Sequence, residues 1–150
     1  MRQHDYRSHR QSTRAFAQFR CTDDVALGGQ YGGPKKTVFI TDVSTGIGYG
    51  AAREFSKQGY RVIGTIRQER DATLLREECG ENFFPFLLDV TDQKKTENLP
   101  EALRQQFGEL HLNGLINNAG IAKAGPIQYQ ELSEIREQFE VNFFGMKGRI

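Results

Sequence analysis

The stretch that decides the fold is Thr41-Asp42-Val43-Ser44-Thr45-Gly46-Ile47-Gly48, a glycine-rich turn directly after the apolar run Thr37–Ile40. A helical pattern follows the turn, with Ala51, Ala52 and Phe55 at helical spacing. When a strand is followed by a glycine turn and then a helix, the free N–H groups at the start of the helix lie where a phosphate can bind. The turn therefore predicts a nucleotide-binding unit.

Strand and helix patterns alternate along the rest of the chain. The predicted strands are Thr37–Ile40, Arg61–Ile66, Phe83–Leu88 and His111–Ile116, and the predicted helices are Ile47–Gln58, Asp71–Cys79, Leu99–Phe107 and Leu132–Met146. This alternation predicts an α/β fold with a doubly wound parallel sheet in the strand order 3-2-1-4. Pro85 cannot donate to a sheet ladder, and this order places its strand at an edge.

Composition limits the kinds of partner. Residues 37–150 hold 13 Lys and Arg against 16 Asp and Glu, which argues against a nucleic-acid surface on the folding part. No apolar stretch approaches the ~18 residues that span a bilayer, so no membrane span is expected. The histidines His4, His9 and His111 lack ligand spacing, as do Cys21 and Cys79, so no metal site is expected.

Residues 1–34 differ in composition from the rest. Five arginines are scattered there among Gln, Ser and His, and the segment ends in a glycine-rich stretch, residues 28–33. With few apolar residues it cannot repay the entropy of ordering, so it is expected to be a flexible basic extension of a domain at 35–150. The expected compartment is the cytoplasm, and an organelle transit peptide is the alternative interpretation of the basic start.

A second motif, Asn117-Asn118-Ala119-Gly120, follows the short apolar run Gly114-Leu115-Ile116. An Asn side chain can bond backbone on both sides and so fix the end of a strand. Upstream, Arg67 comes directly after the second strand, 19 residues past Gly48, where dinucleotide-binding folds contact the adenosine ribose.

Together these motifs resemble the short-chain dehydrogenase/reductase family, from about Lys36 to the last residue. The resemblance implies that Asp89 accepts from the adenine amino group while Val90 packs on the ring, although Asp89 or Thr91 capping the next turn is an equal alternative. It implies that Asn142 is the supporting Asn of the catalytic tetrad. The cofactor-binding residues it implies are Thr41, Ser44, Thr45, Gly46, Ile47, Gly48, Arg67, Asp89, Val90, Asn117, Asn118, Ala119 and Gly120.

Two positions bear on the cofactor. Asp42 stands where the family pattern has its first glycine, and its carboxylate would repel a nearby phosphate. At the end of the second strand Ile66 replaces the acid that would select NAD, and Arg67 suits the 2′-phosphate of NADP. NADP is therefore the expected cofactor and NAD the alternative. A solvated Arg67 with no role is the other interpretation.

The resemblance implies hydride transfer between NADP(H) and a small carbonyl or alcohol substrate. The family's catalytic Ser and Tyr-x-x-x-Lys are not found after Asn142, so the sequence is expected to be a fragment, truncated before the later strands and inactive alone. The alternative hypothesis is that the chain is a catalytically inactive nucleotide-binding or regulatory fragment. A third and weaker hypothesis is a sugar-nucleotide epimerase. An open fourth-strand edge and the helix face Ile135, Phe139 and Phe143 predict self-association or a homo-oligomer.

Overall fold

The computed structural model describes residues 35–147, and the predicted extension at 1–34 lies outside that range. Four strands form one parallel sheet in the order β3-β2-β1-β4, which confirms the predicted fold class. The strands are β1 (Thr37–Ile40), β2 (Arg61–Ile66), β3 (Phe83–Leu87) and β4 (Gly114–Ile116). The helices are α1 (Gly46–Lys57), α2 (Glu69–Cys79), α3 (Gln93–Phe107), α4 (Leu132–Phe139) and α5 (Gly145–Lys147).

The sheet is covered on both faces, and its two central strands, β1 and β2, are buried at every position except the partly buried Arg61. Val38 and Ile40 of β1 pack with α1 and α2, whereas Phe39 between them packs on the other face with α3. Such two-sided burial is typical of parallel sheets. The core therefore fixes the sheet rigidly, and the carboxyl ends of its strands meet at one edge.

Two predicted helix starts were wrong. Helix α2 begins at Glu69, with Gln68 as its N-cap residue, two residues before the predicted start at Asp71. Helix α3 begins at Gln93, six residues before the predicted start at Leu99. The Asp92 carboxylate accepts the Lys95 N–H at 3.0 Å and so caps the helix there. Pro100 lies inside this helix instead of near its start.

The last predicted strand and helix are both shorter than expected. The pairing of β4 covers only Gly114–Ile116, and the long helix is interrupted by a π-helical turn at Glu140–Phe144. Leu115 is 43% exposed, and Phe139 and Phe143 are 57% and 56% exposed. The apolar side chains of β4 and of the helical segment 132–144 are therefore left largely in contact with solvent.

Candidate cofactor site

Gly48 lets the start of α1 approach the ends of β1 and β4 closely. A Cβ atom at this position would lie 2.3 Å from the Asp42 carbonyl oxygen and 2.4 Å from the Asn118 amide nitrogen. Real Cβ atoms do not approach other heavy atoms so closely. The last glycine of the turn is therefore required by the packing of the protein itself, before any ligand is considered.

Thr41 and Asn118 join β1 to the chain after β4. The Thr41 hydroxyl accepts the backbone N–H groups of Asn118 and Ala119 at 2.8 and 2.9 Å. The Asn118 side-chain amide donates to the carbonyl oxygens of Thr41 and Asp42 at 3.1 and 2.7 Å. Because Thr41 is only 2% exposed, these bonds form away from solvent and fix the edge of the sheet. Asn117, by contrast, is exposed.

Asp42 adopts a left-handed backbone conformation with φ of 52°, which explains why glycine suits this position. Aspartate is among the residues that tolerate it best. Its N–H donates to the Thr65 hydroxyl at 2.9 Å, and its carboxylate accepts the Ser44 hydroxyl at 2.9 Å. The Ser44 hydroxyl is therefore bound to Asp42. Asp42 and Arg67 line one cleft, which is described below.

The N-terminus of α1 has the features of an anion site. Thr45 is its N-cap residue but makes no capping bond through its side chain, and the first turn holds no acidic residue. Gly46 has φ of 63° and open space around its Cβ direction, and Ile47 is 86% exposed. The first N–H groups of a helix lack intrahelical partners and carry partial positive charge, so a pyrophosphate fits here. The negative charge of the Asp42 carboxylate is the one feature of the turn that opposes the binding of a pyrophosphate.

Arg67 and Asp89 lie in one cleft at the carboxyl ends of β2 and β3. The cleft is also lined by Asp42, Thr65, Leu88, Val90, Ala119, Ile121 and Val141. Asp89 accepts the N–H and hydroxyl of Thr91 at 2.9 and 2.6 Å, so its side chain closes a local turn. Burial raises the pKa of the Asp89 carboxyl, but the Thr91 hydrogen bonds and the charges of Arg67 and Lys95 outweigh it and lower the pKa. The cleft thus holds both an ionised carboxylate and a guanidinium.

Asn142 lies in the π-helical turn and is exposed. Its side chain binds both backbone groups of Ile121: the oxygen accepts the N–H and the nitrogen donates to the carbonyl, each at 2.8 Å. Val90 packs nearby, because a Cβ on Gly145 would lie 2.8 Å from its side chain. Asn142 therefore ties the last helices to the chain that follows Gly120.

Four residues that line the cleft were not among the predicted site residues, namely Thr65, Leu88, Ile121 and Val141. They belong to no contiguous motif, since each comes from a different element. The glycine turn, Arg67, Asp89 and the Asn117–Gly120 motif do converge on this edge of the sheet.

Residues 35–147 offer neither a metal site nor a membrane-spanning helix. No group of three or more His, Cys, Asp or Glu side chains in that range has the arrangement to hold a metal ion. No helix in the same range is long and apolar enough to cross a membrane.

The parallel sheet, the glycine turn and the anion-binding helix start define a doubly wound nucleotide-binding domain. The family model for short chain dehydrogenases matches residues 36–147. The chain belongs to the short-chain dehydrogenase/reductase family of oxidoreductases.

Named relatives and solved structures agree with this assignment. The chain is 37% identical over 105 residues to the NADPH-dependent 3-dehydrocapnine reductase of Ornithobacterium rhinotracheale, covering 70% of this chain and 37% of the relative. It is 41% identical over 112 residues to dehydrogenase/reductase SDR family member 9 of Bos taurus, covering 74% and 35%. The chain thus spans a little over a third of the length of these relatives.

Among solved structures, ElxO with NADP bound is 31% identical with a TM-score of 0.67, over 76% of this chain and 47% of that one. The serine dehydrogenase from Escherichia coli is 27% identical with a TM-score of 0.68, over 74% and 51%.

Proposed function

We propose that residues 35–150 are the cofactor-binding part of an NADP(H)-dependent oxidoreductase that acts on a small carbonyl or alcohol compound. The observation that carries this proposal is Arg67, a guanidinium at the carboxyl end of β2 in the cleft with Asp89 and Val90. Ile66, the last residue of β2, is apolar where NAD-binding folds place a ribose-binding acid. The name of one relative, an NADPH-dependent reductase, and a solved neighbour with NADP bound support the same cofactor.

Different residues of the site can each bind a different part of the cofactor. The N–H groups at the start of α1 would face its pyrophosphate, Arg67 its 2′-phosphate, and Asp89 with Val90 its adenine. When bound, the cofactor supplies or accepts a hydride. Asn142 is the proposed supporting residue of catalysis, and its two bonds to Ile121 hold the chain beside the cleft.

The test of the cofactor assignment is Arg67→Ala. NADP affinity is expected to fall about 10- to 100-fold, since charge-assisted hydrogen bonds contribute about 1.5–3 kcal/mol. NAD affinity is expected to change less than about threefold, because NAD lacks the 2′-phosphate. Calorimetric titration of both nucleotides measures the two effects.

Arg70→Ala is the matched control for this experiment. Arg70 is exposed at the start of α2, pairs with Asp71 at 3.8 Å and does not line the cleft, but its removal changes the net charge equally. Equal affinities for NADP and NAD, unchanged by Arg67→Ala, would mean that Arg67 is a solvated surface residue.

We also propose that the 150-residue chain, tested as it stands, does not turn over substrate. It holds no tyrosine after Asn142 to serve as general acid and base. Tyr31 and Lys35 do have the spacing Tyr-x-x-x-Lys, but they precede β1, and Tyr31 lies outside the described residues. The chain is therefore proposed to bind nucleotide without catalysis.

This second proposal is tested by the consumption of NADPH with a panel of aldehydes and ketones. A rate indistinguishable from that of buffer is expected. Turnover clearly above the blank would contradict the proposal and would require an acid and base among the residues present.

The uncovered apolar surface supports association with further protein. Leu115 on β4 and the aromatic side chains Phe139, Phe143 and Phe144 are exposed. Phe143 and Phe144 pack edge to face with ring centroids 5.3 Å apart, and exposed apolar patches mark contact with another chain or segment. We propose that a second copy of the chain is one such partner.

A further inference from the structure

The helix after the Asn117–Gly120 motif presents a row of polar side chains to the segment 121–123. The row consists of Glu134, Glu137, Gln138 and Asn142. Side chains three, four and eight positions apart lie on one face of a helix. Every one of these four contacts residue 121 or 123, so the row and the segment form a continuous junction.

Gln138 holds the backbone of this segment directly. Its side-chain oxygen accepts the Lys123 N–H at 3.0 Å, and on the other side Gln130 donates to the Lys123 carbonyl at 2.7 Å. Both glutamines are partly buried. The backbone of Lys123 is thus bound at its donor and its acceptor by side chains from two different elements.

The ion pairs of the Lys123 side chain add less than this backbone bond. The ammonium lies 2.5 Å from Glu137 and 4.0 Å from Glu134, and the Glu137 hydrogen bond raises the Lys123 pKa. However, the Lys123 and Glu137 side chains are 36% and 55% exposed, and exposed ion pairs contribute little. The hydrogen bond from the Lys123 N–H to the Gln138 side chain is therefore the stronger determinant of where Lys123 lies.

Two residues earlier, Ile121 forms part of the cleft wall. Its N–H and carbonyl are both bound by Asn142, and Val141 of the same turn lines the cleft beside it. Lys123 is thus held by Gln138 of α4, and Ile121 by Asn142 of the π-helical turn that directly follows α4. Because the two attachments are four residues apart on continuous helical backbone, release of one is expected to loosen the other.

We propose that Gln138 is a positioning residue for cofactor binding, acting through the Lys123 backbone to hold Ile121 in the cleft wall. The inference rests on the proposed NADP(H) function of the cleft. It assigns a role in affinity to a side chain that does not line the cleft itself.

The experiment compares Gln138→Leu with Gln138→Glu in the full chain. Leucine keeps the size but removes the acceptor, whereas a carboxylate still accepts the Lys123 N–H. Amide hydrogen exchange of Ile121 and Lys123 is measured by NMR without ligand, and NADP affinity by calorimetry. Gln138→Leu is expected to speed exchange at both amides and weaken NADP binding by about fivefold each, the range that one hydrogen bond allows. Gln138→Glu is expected to stay within about twofold of wild type on both measures.

Gln106→Leu is the matched control, because Gln106 is exposed on α3 and lines none of the cleft. Faster exchange at Lys123 alone, with Ile121 exchange and NADP affinity unchanged, would overturn the proposal. If wild type binds no NADP while Gln138→Leu still speeds Ile121 exchange, the cofactor assignment fails and the positioning of Ile121 by Gln138 stands. Faster exchange at both amides and weaker NADP binding in Gln138→Glu, as in Gln138→Leu, would show that the acceptor is not what matters and would also overturn the proposal.

Discussion

Replacement of Gly48 by alanine is expected to destabilise the protein by about 3 kcal/mol, the upper end of the usual cost of overpacking. The added methyl group would meet the Asp42 carbonyl at 2.3 Å and the Asn118 amide at 2.4 Å. One of these is backbone and the other is held by two hydrogen bonds, so neither can move away cheaply. Denaturant unfolding measures the free energy of unfolding of both proteins.

Gly50→Ala in the same helix is the control. No atom lies within 4 Å of a Cβ at Gly50, so this variant gains only helix propensity, up to about 1 kcal/mol. If Gly48→Ala were as stable as Gly50→Ala, the close contact between α1, Asp42 and Asn118 would be wrong.

The second large effect is expected at Asp42. Asp42→Gly should tighten NADP binding by up to about 100-fold, because a carboxylate about 6 Å from a phosphate charge costs roughly 3 kcal/mol at an effective dielectric of about 20. Its backbone already has φ of 52°, so glycine fits without rearrangement. Calorimetric titration with NADP at two ionic strengths measures the effect, which should shrink as salt screens the charges.

Asp42→Asn separates the charge of this side chain from its backbone. Asparagine tolerates the left-handed conformation and can still accept the Ser44 hydroxyl, but it carries no charge. It should recover most of the gain in affinity seen with glycine. Weaker binding in both variants would show instead that the carboxylate itself holds part of the cofactor.

Local patterns were sufficient to predict most of the fold. β1 and β2 were predicted to the residue, because each is a short run rich in apolar residues, and glycines with positive φ, Gly59 and Gly80, follow α1 and α2. The start of α3 was missed, because the helix begins at Gln93 after its Asp92 cap, six residues before Leu99. Local sequence thus predicts elements better than their boundaries.

The cleft residues that the sequence predicted lie in contiguous motifs or directly after a strand, as Arg67 and Asp89 do. The glycine turn and the Asn117–Gly120 motif are single stretches whose chemistry can be inferred from sequence alone. The π-helical turn has no such local signal, since it follows from the bonds of Asn142 to Ile121 and from the packing of Gly145 on Val90. The left-handed Asp42 was equally hidden, because its conformation depends on Thr65 from the neighbouring strand.

Pro85 makes the two edges of the sheet unequal. The Leu88 N–H donates inward to the Ile66 carbonyl at 2.9 Å, so by alternation the backbone nitrogens of residues 83, 85 and 87 point outward. The central one of these three belongs to proline and has no hydrogen to donate. The opposite edge strand, β4, contains no proline. A strand added from any source can therefore form every ladder bond only beside β4, and widening of the sheet is favoured on that side.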